Sequence, residues 1–528
     1  MENKEKANHF LMYVARKCRP GRFSFVFGLV VVLLCVLSVE GRKEPFNKRT
    51  LEEGESLSNK IVFLTAKDSI IGSTTPTFTV NQTITLKNPD SNANLTADST
   101  VTVLFFGSSE SERIGYIDSE GMLQLCCTEE LVEDNKCSDP GSVLIYPSEN
   151  EEETSEDLIS REFHFYDAAE EFKWDESWEI TSSGVYELLY INCKGSDLGD
   201  VVIDGSITYV NPFGHLSAES YPLLWFFGFM TFALIIIGTV WGVFMLIHRS
   251  VLISLQHFLS VLLVLEFVEA FTWFIMLWVS NRTGTIHWGW ITLTVLTSSI
   301  KRTSVGLLYL LISLGYGIMN KAKISDNRRL IALVIGFYFA VSTGQELVTA
   351  YIREGIVSSD TEVLLGFVSL ILLFPSVVIP LGLFWWICAC LSKTLQKVKL
   401  RNQQKKLELY TKIMISLIVA CVVTLLMLLM QTGISIVDSD EIWRVWWLFT
   451  SYWFILFFGL TISLLLLFHP SKNEEWLSYT KRENLTSDED FSTGVEIELD
   501  DLEKDMDINF DFDLGFDDNM EEETSKID

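Results

Sequence analysis

Seven stretches of the chain, roughly 222–247, 251–279, 286–318, 330–352, 362–390, 409–436 and 442–468, are long and almost continuously apolar. Each exceeds the ~20 residues with which an α-helix crosses ~30 Å of hydrocarbon. No other feature restricts the fold as strongly. Backbone inside hydrocarbon must satisfy its own polar groups, and runs of this length do so as helices. A seven-span helical bundle between residues 221 and 470 is expected.

Charge separates this region from its flanks. Residues 41–220 carry a net charge of −22 and residues 471–528 carry −16, whereas 221–470 carry +6. The acidic balance gives no reason to expect nucleic acid as a partner. Residues 1–41 have the pattern of a signal peptide. Lys4, Lys6, Arg16, Lys17, Arg19 and Arg22 precede "FSFVFGLVVVLLCVLSV", and small residues near Ser38 and Gly41 suit cleavage.

Residues 42–220 predict a lumenal all-β sandwich. "KIVFLTA", "TFTVNQTITL", "TVTVLFF", "SVLIYP", "REFHFY", "GVYELLYINC" and "DVVIDGSITYV" are short, β-branched or aromatic, and separated by turn residues. Cys126, Cys127, Cys137 and Cys193 fall in this segment, where an oxidising lumen would pair them. A bond between adjacent cysteines is strained, so Cys126 and Cys127 are each expected to pair with Cys137 or Cys193, in either arrangement. Cys388, Cys390 and Cys421 lie in apolar spans and read as packing residues. Asn81 ("NQT") and Asn94 ("NLT") are glycosylation candidates, as is Asn281 ("NRT") between the second and third spans.

A lumenal start and seven crossings put the tail in the cytosol. The loops that would then be cytosolic hold Arg249, Lys321, Lys323, Arg328, Arg329, Lys393, Lys397, Lys399, Arg401, Lys405, Lys406 and Lys412, against Arg282, Arg353 and Arg444 on the other side. That asymmetry obeys the positive-inside rule. Residues 471–528 are too acidic and polar to bury a core, and are expected to be disordered. Thr486 and Ser487 precede "DED", an acidic setting for phosphorylation.

The spans also contain charges. Lys301 and Arg302 fall together within the third span, and a lone charge at that depth is costly. Glu266 and Glu269 share one face of the second span. At 1.5 Å per residue they rise about 22–27 Å from the cytosolic end, level with Lys301 and Arg302 at about 24–25 Å and Glu346 at about 24 Å. An intramembrane polar layer of Glu266, Glu269, Lys301, Arg302, Gln345 and Glu346 is therefore expected, as structural ion pairs or as the wall of a ligand or ion site. Pro375 and Pro380 would bend the fifth span and free carbonyls. Trp443, Trp446 and Trp447 suit an interfacial belt. HExxH, GxSxG and phosphate-binding glycine loops are missing from the sequence, as is zinc-type spacing, so neither enzyme activity nor a cofactor is expected. The last span has no lysine for a retinal Schiff base, and DRY-type and NPxxY motifs do not occur at the ends of the third and seventh spans.

Five motifs in order do point to a family. "NPFGHLSAESYPLLWFFGF" enters the first span, and "IKRTSVGLLYLLISLGYGI" ends the third. "FWWICACLSKTLQKVKLRNQQKKLELY" joins the fifth to the sixth, "DEIWRVWWLF" opens the seventh and "FHPSKN" closes it. Across roughly 200–475 the chain resembles the lung seven-transmembrane receptor, or GOST, family, and most of all its Golgi-resident branch. The resemblance implies a GOLD-like lumenal sandwich on a Wntless-related bundle, residence in the Golgi apparatus membrane, a role in trafficking, and a bundle able to hold lipid. Glu269, Lys301 and Arg302 fall on polar positions of that pattern, while "FVEAFTWF" and Gln345-Glu346 depart from it. Expected partners are membrane lipid, a lumenal protein cargo or partner, and cytosolic sorting machinery reached through the acidic tail. The rival expectations are a cation channel or channel regulator, and a receptor coupled to a cytosolic transducer.

Overall fold

The structure, a computed structural model, describes residues 44–51, 56–65, 68, 74–86, 100–117, 123–146, 158–165, 171–193, 200–285, 288–315, 324–353, 359–400, 403–436 and 442–472. Residues 1–41, expected to be a signal peptide, and Asn94, Thr486 and Ser487 lie outside the described residues.

Among the described residues, ten strands precede the membrane helices: β1 (Glu44–Leu51), β2 (Ser56–Phe63), β3 (Thr77–Leu86), β4 (Thr100–Gly107), β5 (Tyr116–Ile117), β6 (Leu123–Gln124), β7 (Leu158–His164), β8 (Glu171–Glu179), β9 (Gly184–Ile191) and β10 (Val201–Val210). Eight of them form two antiparallel sheets, ordered β1-β10-β3-β8 and β2-β9-β4-β7. Their facing sides interdigitate Phe78, Val80, Ile84, Val101, Val103, Phe105, Leu188, Tyr190, Ile203 and Ile207. Successive strand residues point to opposite faces. β4 uses both faces: Val101, Val103 and Phe105 fill the main core, while Leu104 and Phe106 join Ile114, Leu189 and Ile191 in a second one.

That second core lies under a lobe fastened by two disulfides, Cys126–Cys193 and Cys127–Cys137. The first closes a separation of 67 residues and the second one of 10. This selects one of the two pairings left open above. "SVLIYP" does not form a strand. It makes only isolated bridges, Val143 to Cys126 and Ile145 to Ile114, because it is held across the lobe and not along a sheet edge. β1 and β8 supply sheet partners that the apolar pattern did not reveal.

Seven α-helices follow among the described residues: α1 (Tyr221–Ile247), α2 (Ser254–Thr283), α3 (Trp288–Ser313), α4 (Ile324–Arg353), α5 (Ser359–Leu400), α6 (Gln404–Ile436) and α7 (Trp443–Leu467). All seven are long and apolar enough to span a membrane. α2 ends later, and α3 earlier, than apolarity alone implies, because glycine sets the stop: Gly284 (φ 73°) and Gly315 (φ 83°) adopt the left-handed conformation that ends a helix. α5 runs unbroken through Pro375 and Pro380, so neither proline terminates it.

The bundle is packed unevenly. α1, α2, α3 and α7 share a dense core that includes Phe227, Leu234, Leu259, Leu262, Leu308, Leu310 and Leu464. On α5 the buried residues are Leu383, Ile387, Leu391, Thr394 and Val398; on α6 they are Lys406, Leu409, Tyr410, Ile413 and Leu417. The halves of α5 and α6 nearer the sandwich have no buried position among the residues whose burial is described.

A compact joint holds the sandwich to this bundle. Asn211, 1% exposed, accepts from Leu64 N at 3.0 Å and donates to Leu216 O at 2.8 Å. Asn281, near the end of α2, donates through Nδ2 to Phe213 O at 2.9 Å and accepts from Leu216 N at 3.2 Å. His215 N also reaches the Asn281 carbonyl at 3.1 Å. Gly214 (φ 134°) lies so close that a Cβ there would collide with Asn281. Asn281, a glycosylation candidate in the sequence, thus has its amide nitrogen donating within a tight interdomain clasp. Asn81, by contrast, is exposed on the outer face of β3. Trp443 is corrected as an interfacial-belt residue. It packs with Val62 and Ala218 beneath the sandwich, 9% exposed, instead of lying among lipid headgroups.

Candidate functional site

The predicted polar layer exists, but as two separate arrangements on either side of α3. Lys301 and Arg302 are adjacent in sequence and so point about 100° apart around the helix. They find different partners on different neighbours.

Lys301 points inward. Its ammonium pairs with Glu269 on α2, and both side chains are nearly sealed, at 3% and 4% exposure. The faces of Phe454 and Phe457 on α7 lie 5.1 Å from Nζ, placing their negative quadrupoles against the cation. Glu266, one turn below Glu269, accepts a 2.5 Å hydrogen bond from Thr461 on α7. Its other carboxylate oxygen has no partner among the described residues. On the sandwich side, Phe227, Trp273 and Phe454 meet ring to ring at 4.7–5.8 Å and close the cluster. Two carboxylates, one ammonium and one hydroxyl are thus enclosed by three helices.

Arg302 points outward to α4, where its guanidinium pairs with Glu346. Here 29% and 28% of the side chains stay exposed. Arg302 lies about 21 Å along α3 from Trp288 and about 17 Å from Ser313, which is mid-span. The α5 segment beside it belongs to the half without buried residues; Gln345 donates to Ser369 of α5 at 3.1 Å. Gln345 therefore faces α5 and not the Arg302–Glu346 pair, a correction to its expected place in a shared layer.

Five of the six predicted residues are brought into two ion-pair groups. The share of α7 in the inner group was missed. Thr461 and the Phe454/Phe457 faces carry no charge, and the only signal was a single threonine in "FFGLTISLLLL". Among the described residues no group of His, Cys, Asp and Glu has the arrangement of a metal site.

Residues 222–475 match the model of the GOST seven-transmembrane domain. Transmembrane protein 87A of Xenopus tropicalis is 26% identical over 295 residues, covering 56% of this chain and 52% of that protein. Transmembrane protein 87A of Homo sapiens is 25% identical over 271 residues, covering 51% and 46%. The chain thus spans about half the length of these two relatives. An uncharacterized protein of Schizosaccharomyces pombe is 25% identical over 389 residues, covering 71% of this chain and 72% of its own.

Proposed function

Because its membrane domain belongs to the GOST seven-transmembrane family, we propose that this multi-pass protein resides in the Golgi or neighbouring secretory membranes and supports membrane trafficking without catalysing a reaction. The sandwich is lumenal and binds a protein cargo or partner. The acidic tail is cytosolic and meets the sorting machinery. The bundle holds a membrane lipid with its headgroup at Arg302 and Glu346. Two disulfides in the sandwich and the basic loops on the opposite side of the bundle support this orientation.

One observation carries the lipid reading. An ion pair at mid-span with more than a quarter of each side chain exposed must face something polar, since acyl chains cannot solvate it. A phospholipid headgroup supplies that: its phosphate suits the guanidinium fork, and an ammonium would suit the carboxylate. The unburied halves of α5 and α6 leave a lateral route from the bilayer. Purification from native membrane followed by lipid mass spectrometry tests this. Co-purified phospholipid should fall severalfold in R302Q and E346Q at equal protein yield. Unchanged lipid in both variants would remove the headgroup site.

A cation-conducting reading is favoured by one feature, the excess carboxylate of the inner cluster, where Glu266 and Glu269 face a single lysine. It requires the Phe227–Trp273–Phe454 closure to open. A current in reconstituted protein, reduced by E266Q and E269Q, would replace the trafficking reading with this one.

A further inference from the structure

Cys388 and Cys390 are free thiols, and both are partly exposed. Their place along α5 can be fixed from charge. The helix has no charged residue from 363 to 392, between Glu362 and Lys393. Those residues rise about 45 Å, whereas hydrocarbon takes up about 30 Å, so about five residues at each end lie at headgroup level. Trp385 and Trp386 mark the same boundary as an aromatic pair. Thr394 Oγ1 donates to Ser313 O at 2.7 Å, which sets this part of α5 level with the end of α3. The two cysteines therefore sit at the bilayer surface, five and three residues before Lys393.

Their facing also matters. The buried stripe of α5 is Leu383, Ile387, Leu391, Thr394 and Val398. At about 100° per residue, Cys388 and Cys390 fall on opposite shoulders of that stripe, and neither lies in it. Lys393, Lys397 and Lys399 add positive charge over the next two turns, where anionic groups gather at a membrane surface. Cys421 is also a free thiol and is exposed, but it lies nine residues from Lys412 on α6 where Cys388 lies five from Lys393, and so sits about 6 Å deeper in the span.

We propose that Cys388 and Cys390 form a site of reversible S-acylation. The sulfur of each attacks the carbonyl carbon of a fatty acyl-coenzyme A. A carbon–sulfur bond to the protein forms, the one to coenzyme A breaks, and the cysteine's proton leaves with the coenzyme A thiol. A boundary thiol on a span end followed by lysines is the setting that membrane acyltransferases use. The inserted chains lie beside α5 and α6, the helices with the least protein cover. The inference rests on the cytosolic orientation proposed above for this end of α5.

Full-length protein from cells is reduced and blocked with N-ethylmaleimide. Thioesters are then cleaved with neutral hydroxylamine, and the new thiols receive a maleimide mass tag. Wild type should show two hydroxylamine-dependent tags lost in C388S/C390S, with one lost in each single variant and none lost in C421S. Mass spectrometry of the wild-type peptide containing both cysteines should show the added acyl mass without any substitution. Wild type without tags, or tagging unchanged in C388S/C390S, overturns the proposal. Protease treatment of sealed membranes from the same cells separates the two levels. A protected C-terminal tail sinks the orientation and the acylation together; a cleaved tail with unchanged tagging sinks the acylation alone.

Discussion

Lys301 and Arg302 are consecutive residues in different solvents. The lysine is enclosed by α2, α3 and α7 beneath an aromatic closure, with 3% of its side chain exposed. The arginine keeps 29% of its side chain open beside α4 and the loose half of α5. The difference shows that a shared depth does not make a shared site. The rotation of about 100° between neighbours on a helix gives one charge a structural setting and the next a place to meet a ligand.

The largest expected effect breaks the inner pair. K301A strands Glu269 and Glu266 in the core and should cost about 3–5 kcal/mol, read as loss of monodisperse protein in a thermal-stability series. K301M/E269L, which removes both charges and keeps the volume, should recover most of that loss. A K301A variant as stable as wild type would erase the distinction between the two pairs. Next, T461V withdraws the hydroxyl from Glu266 and should cost about 1–3 kcal/mol by the same assay, with T461S close to wild type. A double-mutant cycle on R302A and E346A should give a coupling of about 1 kcal/mol, well below the inner pair's, because solvent or headgroup stands in for the missing partner. An equal coupling would mean that the outer pair is sealed too. Q345A, which loses only hydrogen bonds to α5 and to its own helix, should move stability by no more than about 0.5 kcal/mol. A larger shift would draw α5 into the outer site.

The spans and the level of the charges were legible because both depend on long-range periodic facts: runs of apolar residues, and a fixed rise per residue. What escaped the sequence was of a different kind. β8, "EFKWDESWE", hides its strand character because its outward positions Glu171, Lys173, Asp175 and Glu179 are charged while Trp174 and Trp178 turn toward the core. The disulfide partners depended on a lobe folded over β4, which spacing cannot encode. Asn281 matches a glycosylation tripeptide, and only tertiary contact shows its amide to be occupied. Thr461 is one hydroxyl in an apolar run until Glu266 is set opposite it. A helix's own pattern reports how deep a side chain lies but not which neighbour it will meet.

The clasp at Asn281 has a mechanical consequence. Asn281 and Glu269 are on one uninterrupted helix, 12 residues and about 18 Å apart, with no break between them. Phe213 and Leu216 are bonded to the top of this rod, and the rod carries the carboxylate that steadies Lys301. The clasp and the carboxylate that steadies Lys301 are thus two points on a single stiff part, in the manner of a shaft.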